Sequence, residues 1–70
     1  MKNAKVGDIV KFSIDETGLK LTGVIHDYQT TLNYIFYRIL TNSPYYIVFD
    51  FNIVEILTDE EAMLWRLENS

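Results

Sequence analysis

Apolar and polar side chains alternate along short stretches of this chain, and turn-forming residues separate the stretches. The first stretch, Asp8–Ile14, places Val10, Phe12 and Ile14 on one face, as expected of a strand with one buried side. Residues 15–18 follow with the sequence Asp-Glu-Thr-Gly, which predicts a turn because glycine adopts the positive φ that other residues resist. Turn signals at such short intervals are typical of a small all-β unit.

Four further strands are predicted after this turn. They span Leu19–Tyr28, Tyr34–Leu40, Tyr45–Phe51 and Val54–Leu57. Gly23 lies inside the second strand, where a glycine permits the bend or bulge that a curled sheet requires. Residues 42–44, Asn-Ser-Pro, predict the turn between the third and fourth strands, and residues 50–52 predict a shorter turn before the last strand.

The periodicity changes to that of a helix after the last strand. Thr58 and Glu61 have the spacing of a capping box, in which each side chain bonds to the backbone of the other residue. Acidic residues at positions 59–61 also suit the positive end of a helix dipole. The predicted helix continues to Glu68 and places three apolar residues along one side: Met63, Leu64 and Leu67.

Several motifs in the chain resemble those of SH3-like small β-barrels from bacteria and phages. They are Gly7-Asp8-Ile9-Val10-Lys11-Phe12, Gly23-Val24-Ile25, Tyr37-Arg38-Ile39, and Val48 followed by Ile53 and Ile56. The resemblance spans most of residues 6–57 and implies a mainly β, five-stranded SH3-like barrel at 1–57. A C-terminal helix at 58–70 would pack on it within a single domain. The pattern is one of packing and does not specify a function.

The resemblance also indicates which residues of the third strand face inward. It places Ile35, Tyr37 and Ile39 inside the barrel, so alternation sends the others to the opposite face: Tyr34, Phe36, Arg38 and Leu40. The fourth strand is apolar on both faces, and a slip of one residue would exchange Tyr46 and Val48 with Tyr45, Ile47 and Phe49. The sequence leaves both registers open.

Either register places large apolar side chains on the outer face of the third and fourth strands. Exposed apolar patches of more than a few hundred Å² are rare on monomers, so we expect this face to be covered. The terminal helix could cover it through its apolar side, and a second copy of the chain or another protein could cover what remains.

Composition and charge narrow the class of protein. Seventy residues with 49% hydrophobic content suit one small folded domain, and the absence of cysteine excludes disulfides and thiolate metal sites. Ten acidic against six basic residues disfavour a broad nucleic-acid footprint, which needs clustered cations. The N-terminal residues lack the apolar core of a secretory signal. Arg38, Pro44 and Asp50 interrupt the apolar block, so we expect no membrane span and a cytoplasmic protein.

No arrangement of residues in the sequence indicates catalysis. His26 is the only histidine, and its neighbour Asp27 should point to the opposite face of a strand. The serines have no visible base partner. The acidic residues lack the spacing of a calcium loop, and there is no phosphate-binding glycine loop. We therefore expect neither an enzyme, nor a metal site, nor a cofactor.

The preferred hypothesis is a non-catalytic protein-binding module, of the kind that small phage-encoded inhibitors of host or defence proteins represent. The predicted interface comprises Tyr34, Phe36, Arg38, Leu40, Tyr46 and Trp65, since aromatic residues and arginine favour binding hot spots. Trp65 could instead be the edge of the helix packed on the barrel. A homodimer through the outer face is also predicted, with Arg38 at its rim. The alternative is a nucleic-acid-binding barrel that uses the aromatic residues and Arg38 as a platform for bases.

Overall fold

Five antiparallel strands in one sheet and a C-terminal helix form the structure, a computed structural model that describes residues 4–14, 18–41 and 45–69. The strands are β1 (Ile9–Ser13), β2 (Lys20–Thr30), β3 (Ile35–Leu40), β4 (Tyr45–Phe49) and β5 (Ile53–Ile56), and the helix is α1 (Asp59–Glu68). A mainly β chain with five strands and a terminal helix is thus confirmed. Of the turn predicted over residues 15–18, only Gly18 is described, and it has the expected positive φ, +82°. The turn predicted over residues 42–44 lies outside the described residues.

The sheet is strongly curled, as the link between its two edge strands shows. The strands lie in the order β4-β3-β2-β1-β5, so β4 and β5 are at opposite edges. A single 3-10 turn of three residues, Asp50–Asn52, nevertheless joins them. Four strand spacings in a flat sheet would separate these strands by about 19 Å, whereas a 3-10 segment of this length spans roughly 8 Å. Only a curled sheet accommodates so short a connection.

The core lies on the concave side of this curled sheet. The rings of Phe12 and Tyr46 have centroids 5.8 Å apart, although β2 and β3 separate their strands in the sheet. Tyr37 and Ile39 are buried and Ile35 packs against them, so the predicted inner face of β3 is confirmed. The buried core cluster comprises Val10, Phe12, Ile25, Tyr37, Ile39, Val48 and Ile53.

Tyr37 carries the one hydroxyl group of this core cluster. Burial raises its pKa above the usual 10.0, and the charge of Asp50 and the neighbouring Tyr28 add to the shift. The neutral hydroxyl donates a hydrogen bond to the carbonyl of Ala4 over 3.4 Å. The bond ties the segment before β1 to the middle of the sheet.

The second strand contains a β-bulge, and it lies at His26 rather than at Gly23. The pairing with β3 shifts between Ile25 and Asp27, so His26 is the extra residue, whereas Gly23 pairs regularly with Val10. Gly23 has another role. A Cβ atom there would overlap the carbonyl of Leu40 and lie 2.7 Å from the side chain of Ile39, so glycine permits the close contact of β2 with β3.

The helix begins as predicted but presents a different face to the sheet. Thr58 Oγ1 accepts from the Glu61 amide at 3.2 Å, and the Glu61 carboxylate accepts from the Thr58 amide at 3.0 Å, completing the capping box. The helix residues that are partly buried are Ala62 and Trp65. At about 100° per residue, these two lie on the side opposite Leu67.

The prediction that the apolar side of α1 covers the outer sheet face is therefore wrong. The three residues concerned remain largely exposed: Met63 at 64%, Leu64 at 56% and Leu67 at 70%. Ala62 instead faces a groove beside Ile9, which is 2% exposed, and α1 thus shields the outer side of β1. Within the described part of the chain, no helix has the length and apolar character that a membrane crossing requires.

Candidate protein-binding surface

The register of β4 against β3 decides which side chains face outward. Tyr37 pairs with Val48 and Ile39 with Tyr46, and members of such pairs share a face of the sheet. Val48 is 7% exposed, and Tyr46 packs against the core. The outward set of β4 is therefore Tyr45, Ile47 and Phe49.

Four aromatic rings, which we call the aromatic cluster, form one connected group on the outer face: Tyr34, Phe36, Phe49 and Phe51. Phe49 is at the centre, with ring centroids 4.7 Å from Phe36, 5.3 Å from Tyr34 and 4.9 Å from Phe51. The Phe49 and Phe51 planes are nearly parallel, at 9°. The other ring pairs are tilted at 42–60°. Tyr34 is 49% and Phe51 67% exposed, so the rings contact one another and are still open to solvent.

A paired arginine borders the aromatic cluster. Arg38 Nε lies 3.2 Å from Asp27 Oδ1, and its guanidinium lies 5.5 Å from the centre of the Tyr45 ring. Both charged groups are about half exposed, so the ion pair adds little to stability. It does fix the guanidinium over a ring and neutralises its charge locally. A shallow depression beside it is lined by Asp27, Phe36 and Ile47, among others.

The aromatic cluster and the neighbouring side chains make up what we call the outer patch. Its further members are Arg38, Leu40, Tyr45 and Ile47, and Ile47 is 67% exposed. Half-exposed aromatic and aliphatic side chains present about 100 Å² each, so the exposed patch is on the order of 500 Å². Patches of this size are among the largest on monomeric proteins and are often functional.

The structure brings together four of the six predicted interface residues. Tyr34, Phe36, Arg38 and Leu40 all belong to the outer patch. Tyr46 does not, because β4 pairs in the register that points its ring inward, next to Phe12; its assignment to the interface face is corrected. Trp65 is half-buried and lines a groove beside Lys11 and Thr22, so it packs α1 on the sheet, apart from the patch.

Four members of the outer patch were absent from the predicted interface: Tyr45, Ile47, Phe49 and Phe51. Their signal was present in the sequence, because both faces of the fourth strand are apolar. The alternation of the third strand could not be carried across residues 42–44 to choose between the two registers. Phe49, the centre of the aromatic cluster, was therefore missed.

The structure also places the side chains that the sequence offered for catalysis or metal binding. His26 is exposed at the bulge of β2, and no group of three or more His, Cys, Asp or Glu side chains in the described segments is placed to hold a metal ion. The outer patch offers apolar area, rings in fixed positions and one oriented guanidinium. These are groups that a folded partner can contact.

No protein-family model, curated protein or solved structure matches this chain. Function is therefore inferred from the outer patch itself.

Proposed function

We propose that this protein is a non-catalytic protein-binding module and that the outer patch is its binding site. The observation that carries the proposal is the aromatic cluster, which is packed around Phe49 yet open to solvent. Rings that already contact one another lose little conformational freedom when a partner binds, so their apolar area contributes to affinity at low entropic cost. Tyrosine and arginine are among the residue types that dominate binding hot spots, and phenylalanine is enriched at protein interfaces.

The electrostatics of the molecule support an apolar partner surface at this site. The charges of Arg38 and Asp27 cancel within the patch, whereas α1 carries four acidic residues and one arginine. The outer patch thus has no net charge at its centre, and the acidic charge lies on α1, elsewhere on the molecule. Apolar contact supplies the affinity at such a site, and the acidic charge disfavours acidic competitors.

The mechanism that fits such a module is occlusion of a partner's surface. A small protein of this kind acts by occupying the site that its partner uses for something else. The resemblance to phage SH3-like barrels supports placing it among the phage-encoded inhibitors of host or defence proteins. The same resemblance, together with the curl of the sheet and the 3-10 link from β4 to β5, supports an SH3-like small barrel as its architecture.

Nucleic-acid binding, the alternative that the sequence left open, is not favoured by the patch. Its arginine, Arg38, already pairs with Asp27, and phosphate contacts need clustered free cations. The net charge of −4 acts against a polyanion as well.

Affinity capture with two matched variants tests the proposal. Wild type, Phe36→Glu and Leu67→Glu would each be immobilised and exposed to lysate of the source cell. Phe36→Glu adds a carboxylate to the outer patch, and Leu67→Glu adds the same group to an exposed apolar position on α1. We expect one partner to be retained by wild type and Leu67→Glu and to bind Phe36→Glu at least about tenfold more weakly, as for a hot-spot residue.

Circular dichroism would first establish that both variants are folded, and Phe51→Glu, at a more exposed position, would repeat the test. A partner that binds all variants equally would contradict the assignment of the outer patch. A lysate that yields no retained protein would contradict the proposed function.

A further inference from the structure

The free edge of β4 differs from the free edge of β5. Among the described residues β4 pairs only with β3, and Tyr45–Phe49 contains no charged residue. β5 is shorter, carries Glu55 and pairs with β1 across a register shift. Charges, short length and irregular pairing are the means by which proteins protect edge strands from association. β5 has all three, and β4 has no charge.

The hydrogen bonds of β3 show which backbone groups of β4 face this edge. The Thr31 amide donates to the Tyr34 carbonyl at 2.8 Å, so Tyr34 and every second residue after it turn their backbone groups toward β2. The alternate residues, Tyr37 and Ile39, therefore bond to β4. Because they pair with Val48 and Tyr46, the remaining residues of β4 point their amides and carbonyls away from the sheet.

A second hydrogen bond supports the same assignment of the β4 residues whose backbone groups face the edge. The amide of Phe49 donates to Asn52 Oδ1 at 3.0 Å and not to β3. Phe49 thus belongs to the edge-facing set with Ile47 and Tyr45. Asn52 satisfies the amide at one end of the edge, whereas Ile47 at its centre is 67% exposed.

We propose that two copies of this chain pair through their β4 edges, antiparallel and with the two-fold axis at Ile47. Each Ile47 would donate its amide to the carbonyl of the other Ile47. Each Tyr45 would donate to the carbonyl of Phe49 in the second copy, a bond that leaves the Phe49 amide with Asn52. Every donor that this pairing uses thus faces the edge.

The side chains of β4 are self-complementary in this register. On the outer face, Tyr45 lies opposite Phe49 of the second copy and Ile47 lies opposite its equivalent, pairs of aromatic and β-branched residues that stabilise antiparallel strands. No like charges meet along the strand. The acidic helix α1 lies against β1 and β2, and β2 is two strands away from β4 in the sheet order.

Edge pairing shares Tyr45, Ile47 and Phe49 with the outer patch, but it uses the backbone groups of β4, whereas the proposed partner contacts the side chains of the outer face. Either proposal can therefore hold without the other. Edge pairing leaves Phe36 and the aromatic cluster open, and it places the two outer patches side by side on one continuous face. The homodimer predicted from the sequence would instead bury the two patches against each other. The two geometries respond differently to substitution.

Light scattering on four proteins tests the edge dimer: wild type, Ile47→Pro, Ile47→Lys and Phe36→Glu. Proline removes only an edge-facing amide, which is tolerated on an edge strand, and lysine places two ammonium groups opposite each other. An interface this small is of the weak class, so we expect wild type to be dimeric at about 0.5 mM and to dissociate on dilution. Both Ile47 variants should be folded monomers, and Phe36→Glu should remain a dimer.

Amide hydrogen exchange supplies a readout specific to the edge. The Ile47 amide should exchange more slowly as the concentration of wild type rises, while the Phe49 amide, already bonded to Asn52, should not change. A monomer mass at all concentrations would overturn the inference. So would a dimer that Phe36→Glu abolishes and Ile47→Lys leaves intact, because that result describes pairing of the outer patches.

Discussion

Position 23 shows how a single missing side chain fixes the distance between two strands. Any Cβ at Gly23 would enter the space held by the Leu40 carbonyl and the Ile39 side chain. Backbone atoms cannot rotate away, so β2 and β3 would have to separate. The glycine was recognised from the sequence as a special position, but the sequence could not distinguish a bulge from a close approach.

Gly23→Ala should lower the free energy of unfolding by roughly 1–3 kcal/mol, the usual cost of overpacking. Urea denaturation followed by circular dichroism measures the change. Gly18→Asn is the matched control, because Gly18 has φ +82° and open space around it, and asparagine tolerates that conformation. Equal stabilities of Gly23→Ala and wild type would mean that the two strands can separate freely.

Once one face of a strand is assigned, alternation predicts the facing of its other residues. It does not predict the register between neighbouring strands. In β3 the resemblance placed Tyr37 and Ile39 inward, which matches the buried positions, and alternation then assigned the other residues of that strand to the outer face. Tyr46 was misplaced because alternation within β3 carries no information about the register of β4.

At the scale of elements, α1 has a predictable beginning and an unpredictable orientation. Its capping box is a local arrangement of Thr58 and Glu61, so four residues of sequence define it. Its rotation about its own axis depends on the short connection from β5, Leu57 and Thr58, which fixes the direction in which the helix leaves the sheet. The apolar residues Met63 and Leu67 therefore remain largely exposed despite their spacing.

The cap of α1 should make stability depend on pH through Glu61. Hydrogen bonds from the amide and then the side chain of Thr58 lower the pKa of Glu61 below its usual 4.5. A lowered pKa in the folded state means stabilisation that is present above 4.5 and lost as the pH falls through the lowered value. Glu61→Gln keeps the hydrogen-bonding shape and cannot ionise.

Wild type should therefore exceed Glu61→Gln in stability near neutral pH, and the difference should shrink to zero in acid. Urea denaturation of both proteins at a series of pH values gives this comparison. A difference that stays constant across the series would show that the charge of Glu61 contributes nothing to the cap.

At the scale of the whole molecule, the curl of the sheet and the position of α1 determine which side chains are exposed to solvent. The number of strands and the terminal helix followed from turn spacing and periodicity. The resemblance, not the hydropathy pattern, suggested that the sheet would close on itself. Which part of the outer face the helix leaves open depends on contacts between distant residues, and a single sequence does not reveal them.

Trp65→Ala should destabilise the whole fold, because Trp65 packs α1 beside Lys11 and Thr22. The side chain is half-buried, so we expect a loss of about 1–3 kcal/mol, less than for a fully buried tryptophan. Leu67→Ala, at a position that is 70% exposed, should change the stability by no more than about 0.5 kcal/mol. Chemical denaturation compares the two.

The reverse ranking would mean that α1 docks through its apolar side after all. Removal of α1 before Thr58 would uncover Ile9 on β1 and leave the aromatic cluster as it is.

The antiparallel pairing of β5 with β1 also determines how the molecule responds to a pulling force. The Leu57 amide donates to the Ile9 carbonyl at 2.9 Å, so the chain enters β1 and leaves β5 at the same end of the sheet. Tension applied between these two residues would act along the hydrogen bonds that join β1 and β5, because these bonds are perpendicular to the strands. The bonds would therefore break one after another, starting at that end of the sheet. β5 would peel away at low force. A tether attached so that β1 and β5 slide along each other would load all of these bonds at once and meet much greater resistance.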